Sequence, residues 1–153
     1  MRLTDILKLQ NIKVPLAATT KNDAIAELVQ LLATNGEITD AKKVLDAVLE
    51  REATRTTGIG SGVAIPHGKC VGTPNLIMAV GKPATPIDFQ SIDGRPVNVI
   101  WLLTSPPDKT GPHIIALARI SRLSTIEKFQ QAMRAAKTAQ ELYDAVVAQE
   151  ATL

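Results

Sequence analysis

The sequence predicts an α/β fold in which a mixed β-sheet lies between helices on both sides. Helical patterns occupy both ends of the 153-residue chain, and two near-continuous apolar runs rich in β-branched residues, 76–80 and 97–103, lie between them. Helices that enclose a central block of strands indicate a sandwich. A chain of this length with 45% hydrophobic residues needs only one core, so we expect a single domain over residues 1–153.

Two amphipathic helices are predicted in the first third of the chain. The first begins after the polar residue Thr20 and ends at Gly36, and its apolar residues recur at helical spacing. The second begins near residues 39–40. Arg51 and Arg55 lie four residues apart at or beyond its end, so they share one side if the helix continues that far.

The last third of the chain is predicted to be a loop followed by further helices. The proline- and glycine-rich segment 105–112 favours a loop. Helical spacing resumes after it, with four residues expected to face the core: Ile114, Leu117, Ala118 and Ser121. Segments 124–127 and 138–141 each match a capping box that opens a helix.

Charge and hydropathy exclude several classes of partner. The 17 basic and 15 acidic residues nearly cancel, so no strong field draws the chain to nucleic acid or anionic lipid. Neither a signal peptide nor an apolar run long enough to cross a bilayer is visible. Cys70 is the single cysteine, which agrees with a reducing compartment. We therefore expect a cytoplasmic protein without membrane insertion.

Both histidines of the chain lie at predicted structural boundaries. His67 follows Pro66 after a glycine-rich turn and a short strand, and His113 follows Pro112 at a helix start. Gly68 leaves room for another molecule to approach His67. Neutral imidazole is a competent nucleophile at cellular pH, so His67 is the candidate acceptor of a phosphoryl group.

A phosphorylated histidine needs nearby groups that bind the phosphoryl oxygens. Candidates are His113, the side chains of Arg51 or Arg55, and the backbone amides of a phosphoryl-binding loop formed by Gly58, Gly60, Ser61 and Gly62. Phosphoryl transfer asks mainly for positioning and charge stabilisation, so we expect no cofactor and no metal. The spacing of His67, Cys70 and His113 also suggests a partial metal or thiol site, but a fourth ligand is missing.

The segment 57–69, Thr-Gly-Ile-Gly-Ser-Gly-Val-Ala-Ile-Pro-His-Gly-Lys, closely resembles the phosphorylation-site motif of fructose/mannitol-type enzyme IIA domains of the bacterial phosphotransferase system. The likeness extends to segments 49–52, 85–97, 113–120 and 141–143. Within that family, the nitrogen-regulatory branch is the most similar. The resemblance implies a mixed sheet between helices and an enzyme, a phosphotransferase component with a phosphohistidine intermediate.

The resemblance also implies roles for particular residues. His67 would accept the phosphoryl group from the phosphohistidine of the carrier protein HPr, through Nε2. His113 would contact the phosphoryl group or orient the ring, and Arg51 would lie near the site, whereas Arg55 has no clear counterpart. Position 61 departs from the family pattern, because a larger polar residue is frequent there and this chain has Ser61. The difference affects the expected details of the pocket rim.

Three functions compete at this point. The first is a regulatory phosphocarrier that acts on downstream protein targets, and the second is a sugar-specific enzyme IIA that passes phosphate to an enzyme IIB during fructose or mannitol uptake. The third is a module that binds partners without being phosphorylated. A metal- or thiol-dependent hydrolase ranks last, because Cys70 lacks an activating constellation.

Overall fold

The chain folds around one six-stranded sheet held between two layers of helices. In the computed structural model, which describes residues 1–153, two short 3-10 turns precede the first strand. The strands are β1 (Ile12–Leu16), β2 (Gly58–Gly60), β3 (Val63–Ala64), β4 (His67–Lys69), β5 (Ile77–Pro83) and β6 (Val99–Ser105). The helices are α1 (Lys21–Thr34), α2 (Ala41–Thr54), α3 (Thr110–Ser124), α4 (Glu127–Ala135) and α5 (Ala139–Glu150).

The sheet has the strand order β1–β5–β6–β3–β2, and β4 also pairs with β6. β5 and β6 are antiparallel, whereas β1 is parallel to β5, and β3 and β4 are parallel to β6. Val63 lies opposite Val99 and His67 lies opposite Leu103, so β3 and β4 follow one another along the same neighbour. Segment 63–69 is therefore one interrupted strand that carries His67 to the end of β6.

Alternate residues of β6 face the two helical layers. Val99, Trp101 and Leu103 belong to the core shared with α3, α4 and α5, and Ile100 and Leu102 belong to the core shared with α1 and α2. Successive strand residues point to opposite faces, and both faces of this strand are covered, so it is apolar throughout. The predicted α/β sandwich with helices on both sides is confirmed.

The predicted starts of α1 and α2 are confirmed by their capping hydrogen bonds. The Thr20 side chain accepts a hydrogen bond from the Asp23 backbone N–H at 3.3 Å, and the Asp40 side chain accepts one from the Lys43 N–H at 3.1 Å. Gly36 follows α1 in the left-handed conformation, with φ of 72°. α2 ends at Thr54, so Arg51 is helical whereas Arg55 is extended.

The prediction for the start of α3 needs correction. Ser105 still belongs to β6, and α3 already begins at Thr110, so the loop is shorter than 105–112. Pro112 lies in the first turn of α3, where a backbone N–H would have no acceptor within the helix, so the missing N–H of proline costs no hydrogen bond. The residues that α3 buries are His113, Ala116, Ile120, Leu123 and Ser124.

The predicted core-facing stripe of α3 is wrong at two positions. Ile114 is 59% exposed, and Ala118 is exposed as well, while Leu117 and Ser121 are half-buried. The physical reason is that the polar side chain of His113 takes the inward position, which hydropathy alone assigns to the neighbouring isoleucine.

Only one of the two predicted capping boxes caps a helix. Ser124 ends α3 and its hydroxyl donates to the Ile120 carbonyl at 2.8 Å, while α4 begins at Glu127 without a side-chain cap. Thr138 caps α5, as predicted, by accepting a hydrogen bond from the Glu141 N–H at 3.1 Å. A serine inside a helix can bond to the carbonyl four residues earlier, and that bond replaces the cap at Ser124.

The remaining differences concern strands and helix character. β1 is absent from the sequence predictions, and it contains Pro15, which an edge strand tolerates. The observed β5 and β6 lie one to three residues later than the predicted runs, and Val97 instead forms an isolated bridge with Ile87.

None of the helices combines the length and the apolar character that crossing a bilayer requires.

Candidate functional site

His67 is the first residue of β4, and the backbone next to it fixes its ring. Its Nδ1 atom lies 2.8 Å from the carbonyl oxygen of Ile65. A carbonyl oxygen can only accept, so Nδ1 carries a proton and donates it. The neutral ring then has its lone pair on Nε2, which makes no hydrogen bond within the protein. The local chain thus sets the tautomer of His67.

His113 lies in the first part of α3 and is 3% exposed. Its Nδ1 atom shares a 2.7 Å hydrogen bond with the hydroxyl of Ser105, the last residue of β6. A hydroxyl can either donate to a ring nitrogen or accept from it. The end of β6 and the start of α3 together hold this ring.

The two imidazole rings meet edge to face. Their centroids are 5.6 Å apart and their planes make an angle of 65°. Burial lowers the pKa of His67 below its ordinary value, and the positive charges of Arg51 and Lys69 act in the same direction. Burial lowers the pKa of His113 to about 4, with further contributions from His67 and Lys69. Both rings are therefore mainly neutral at pH 7.

A cavity of about 260 Å³ opens beside His67. Arg51 and Arg55 line it from the end of α2, and the Nη1 atom of Arg51 donates to the Arg55 backbone carbonyl at 2.9 Å. The remaining lining residues are Thr56, Thr57, Ile59, Ile65, Ile92, Leu117 and Ser121. The structure thus brings two arginines to His67, and His113 lies against the His67 ring.

A buried carboxylate that the sequence predictions missed fixes one wall of this cavity. Glu52 is 5% exposed and accepts hydrogen bonds from Thr57, from the backbone N–H at 2.7 Å and from the hydroxyl. The ammonium group of Lys21 lies 3.3 Å from the same carboxylate. Glu52 immediately follows Arg51 in a segment that resembles the family, and that adjacency is the signal that could have identified it.

The predictions also missed Ser105 and Lys69. Each of these two residues makes a hydrogen bond that connects the elements carrying the two histidines. Ser105 holds His113, as described above. The Lys69 Nζ atom donates to the Thr110 hydroxyl at 3.3 Å, which joins the end of β4 to the start of α3. Lys69 closes the glycine-rich motif, whereas no feature of the sequence singles out Ser105.

The glycine-rich segment forms the β2–β3 hairpin, and its tip lies apart from the His67 cavity. Ser61 and Gly62 have φ values of 57° and 78°. The Ser61 N–H donates to the Asp93 carboxylate at 2.9 Å, and both tip residues line a second hollow together with Arg95 and Arg134.

The other glycines of the predicted phosphoryl-binding loop have different surroundings. Gly58 packs against Ser91 so closely that a Cβ atom would lie 2.3 Å from the Ser91 hydroxyl oxygen, and Gly60 has φ of 104°. Among residues 58–62, only Ile59 lines the His67 cavity. The structure therefore does not bring Ser61 and Gly62 to the ring, and contact of the loop with a phosphoryl group stays a prediction.

Large apolar side chains lie exposed around the two histidines. Ile59 and Ile92 line the mouth of the cavity, and Ile92 is 68% exposed. Ile114 and Ile115 follow His113 in α3, and both are more than half exposed. Clustered exposed apolar groups of this kind are typical of a surface that contacts another protein.

Cys70 does not join the histidines. Its side chain is half-buried against the core beneath α1 and α2, and its sulfur accepts a hydrogen bond from the Gly72 N–H at 3.3 Å. No group of three or more His, Cys, Asp or Glu side chains in the chain is arranged to hold a metal ion. The geometry offers no support for the partial metal or thiol site.

Comparison with known proteins identifies the family. Residues 5–148 match the family described as phosphoenolpyruvate-dependent sugar phosphotransferase system, EIIA 2. A nitrogen regulatory protein of Bradyrhizobium diazoefficiens is 35% identical over 99% of both chains. The fructose-specific EIIABC component of Bacillus subtilis is 30% identical over 95% of this chain, which spans 23% of that longer protein.

Solved structures agree with the sequence relatives. The nitrogen regulatory protein IIA-Ntr of Neisseria meningitidis has a TM-score of 0.85 and 27% identity, and the match covers 93% of this chain and 97% of that one. The predicted resemblance to fructose/mannitol-type enzyme IIA domains and to their nitrogen-regulatory branch is confirmed. The chain therefore belongs to the EIIA 2 family of the phosphoenolpyruvate-dependent sugar phosphotransferase system.

Proposed function

We propose that residues 1–153 act as one phosphoryl-carrier domain in which Nε2 of His67 accepts a phosphoryl group and passes it, or the signal it represents, to a partner protein. The observation that carries the proposal is the hydrogen bond from Nδ1 of His67 to the Ile65 carbonyl. This bond leaves the lone pair on Nε2 in a ring that borders an arginine-lined cavity.

The transfer step balances without a metal or a cofactor. The Nε2 lone pair of His67 forms a bond to phosphorus while the phosphorus–nitrogen bond of the donor phosphohistidine breaks, and that electron pair returns to the donor imidazole. The phosphorylated His67 ring becomes positively charged because its Nδ1 proton remains in place. The Ile65 carbonyl then stabilises that charge through the existing hydrogen bond.

His113 would stabilise the transferred group. If the Ser105 hydroxyl donates to Nδ1 of His113, the neutral His113 ring carries its proton on Nε2 and can donate to a phosphoryl oxygen. The low pKa of His113, about 4, keeps the ring in this neutral state before transfer. A donor held by burial and a hydrogen bond needs little reorganisation during the reaction.

Arg51 would supply positive charge to the same oxygens. It lines the cavity with His67, and its bond to the Arg55 carbonyl holds the guanidinium group near the end of α2. A guanidinium group binds phosphate oxygens through a fork of parallel hydrogen bonds. Arg55 also lines the cavity, but its backbone is already extended and its side chain is exposed.

The donor would be an HPr-type phosphohistidine protein, and the exposed isoleucines around the site would form the docking surface. For the acceptor, we infer a regulatory protein target, since relatives named nitrogen regulatory protein match nearly the whole length of both chains. The alternative is an enzyme IIB in sugar uptake. The fructose-specific EIIABC component supports that alternative by its similarity over 95% of this chain.

The first experiment is phosphorylation of the purified chain by phosphoenolpyruvate, enzyme I and HPr. Intact mass under conditions that preserve phosphohistidine should show one added phosphoryl group in the wild type and none in His67→Ala. Cys70→Ser is the matched control and should gain the group as the wild type does. Absence of any gain in the wild type with HPr-type donors would leave the chain as a phosphorylation-independent binding module.

A second experiment separates the two acceptors. The phosphorylated chain is mixed with a fructose-type enzyme IIB, and transfer to the IIB cysteine is followed by mass. Rapid, complete transfer would favour the sugar-uptake alternative. Retention of the phosphoryl group, together with partners captured differently by the phosphorylated and unphosphorylated chain, would favour regulation.

A further inference from the structure

A second hollow, of about 260 Å³, has walls from three separate parts of the chain. The tip of the β2–β3 hairpin supplies Ser61 and Gly62, the segment 95–98 supplies a second wall, and α4 supplies Gln130 and Arg134. Apart from the ring of Pro96, the lining contains no aliphatic or aromatic side chain. The hollow is therefore lined mainly by polar residues, and it shares no lining residue with the His67 cavity.

Neither of the two arginines of this hollow forms an ion pair in the protein. Neither the Arg95 nor the Arg134 side chain takes part in an ion pair or a hydrogen bond. The adjoining Asp93 carboxylate is already occupied, because it accepts from the backbone N–H groups of Ser61 at 2.9 Å and of Arg95 at 3.0 Å. The hollow thus holds two guanidinium groups that form no ion pair, and the negative charge of the adjoining Asp93 carboxylate offsets only part of the charge of Arg95.

The walls of the hollow are tied in place. The Asp93 bonds described above join the hairpin tip to the second wall. The Lys82 ammonium group donates to carbonyls at the end of α4, to Met133 at 2.9 Å and to Ala136 at 2.7 Å, and it also bonds the Arg134 carbonyl. Gln130 donates to the Ser124 carbonyl at 2.6 Å. A hollow held in this way loses little freedom when it binds a ligand.

We propose that this hollow binds a small molecule bearing an oxyanion group, a phosphate or a carboxylate, between the guanidinium groups of Arg95 and Arg134. The forked donors of arginine match both kinds of oxyanion. The Asn98 side chain lies against Gly62 and makes no hydrogen bond within the protein, so its amide is a third available donor. The volume of about 260 Å³ lies just below the range of roughly 300–1,000 Å³ that is usual for small-molecule sites, which favours a small ligand.

Arginine substitutions test the proposal directly. The ¹⁵N-labelled full chain is titrated with inorganic phosphate and, separately, with succinate at constant ionic strength, with uncharged succinamide as a ligand control. We expect saturable shifts of the Ser61, Gly62 and Asn98 amide signals. Arg95→Gln and Arg134→Gln should each weaken binding about tenfold or more, as loss of a charge-assisted hydrogen bond does.

Arg122→Gln is the matched control, because Arg122 is an exposed arginine of α3 outside the hollow. It should keep the affinity of the wild type. Saturation by phosphate alone assigns a phosphate-bearing ligand, and saturation by succinate alone assigns a carboxylate. If neither anion saturates, or if Arg122→Gln weakens binding as much as the two hollow variants, the proposal is wrong. The test needs no phosphorylation of His67.

Discussion

The hydroxyl of Ser105 and Nδ1 of His113 share a buried 2.7 Å hydrogen bond that joins the end of β6 to the start of α3. Nδ1 of His67 also has a fixed partner, because it donates to the Ile65 carbonyl oxygen two residues earlier at 2.8 Å. Each ring is thus held at Nδ1, and each has its Nε2 atom free of hydrogen bonds within the protein. This shared arrangement makes the orientation of both rings a property of the scaffold.

Ser105→Ala should slow phosphoryl acceptance without removing it. The variant leaves Nδ1 of His113 without its partner, so both neutral tautomers become populated and the ring loses its fixed orientation. We expect a rate about tenfold lower, in line with loss of an orienting hydrogen bond, and a stability loss of about 1 kcal/mol. Rates come from timed mass spectra, and the tautomer comes from ¹⁵N shifts of His113.

Thr104→Ala is the control for Ser105. Thr104 is also buried in β6 and hydrogen-bonds Thr73 at 2.8 Å. It should lose comparable stability and keep the wild-type rate and His113 tautomer. An equal loss of rate in both variants would show that Ser105 acts only through the stability of the strand.

Arg51→Gln should reduce phosphoryl acceptance more than Arg55→Gln. The Arg51 guanidinium group is held at the cavity by its bond to the Arg55 carbonyl, whereas the Arg55 side chain is exposed. Removal of a fixed stabilising donor lowers rates by about 100-fold, so we expect a loss of that order for Arg51→Gln and a smaller loss for Arg55→Gln. A phosphorylation rate in Arg51→Gln equal to that of the wild type would remove Arg51 from the site.

Glu52→Gln should lower the pKa of His67 further and destabilise the protein. The Glu52 charge raises the pKa of His67, in opposition to the larger effect of burial, and the carboxylate also holds Thr57. Loss of a buried charged acceptor is expected to reduce the free energy of unfolding by about 2 kcal/mol. NMR titration of His67 measures the pKa, and urea unfolding measures the stability.

Glu50→Gln is the matched control, because Glu50 is exposed on the same helix two residues earlier. It should leave both quantities near their wild-type values. A His67 titration that is identical in Glu52→Gln and the wild type would contradict the electrostatic link between Glu52 and the ring.

His113 should make stability depend on pH in a defined window. Its pKa is lowered by burial to about 4 in the folded chain, whereas an unfolded histidine titrates near 6.5. Between these values the unfolded chain binds a proton that the folded chain does not. The free energy of unfolding therefore falls as the pH drops from about 6.5 to about 4, by up to roughly 3 kcal/mol, and is unaffected by this group at higher pH.

His113→Asn removes the titrating ring and tests this dependence. Urea unfolding of the wild type and the variant is measured at pH 7.5 and pH 4.5, and the carboxylates common to both proteins cancel in the comparison. We expect the variant to lose less stability on acidification than the wild type. Equal losses would show that the His113 ring is protonated as readily in the folded chain as in the unfolded one.

The sequence predicted the elements in which pattern and burial agree. β5 and β6 are covered on both faces, so their sequences are apolar throughout and were identified. Thr20, Asp40 and Thr138 cap helices because each has a polar side chain directly before a helical pattern. β1 was missed because its five residues include Lys13 and Pro15, which do not form a recognisable strand pattern.

For the candidate site, the predictions named Arg51, Arg55 and His113 as neighbours of His67, and the structure brings these together, but it places Ser61 and Gly62 at a different hollow. His67, Arg51 and Arg55 line one cavity, to which the last turn of α2 and the first residue of β4 both contribute. The inward position of His113 could not be read from hydropathy, since a histidine does not contribute to an apolar stripe. Contacts such as Ser105 with His113 depend on the packing of a strand end against a helix, which no local motif encodes.

The interrupted strand 63–69 has a mechanical consequence. The Val99 N–H donates to the Gly62 carbonyl, the Ile65 N–H donates to the Thr57 carbonyl, and the Leu103 N–H donates to the Pro66 carbonyl. A segment fastened at such short intervals cannot shift along its neighbours unless several backbone hydrogen bonds break together. The backbone position of His67 is therefore set by the sheet, and a displacement of the hairpin tip is resisted before it reaches the ring.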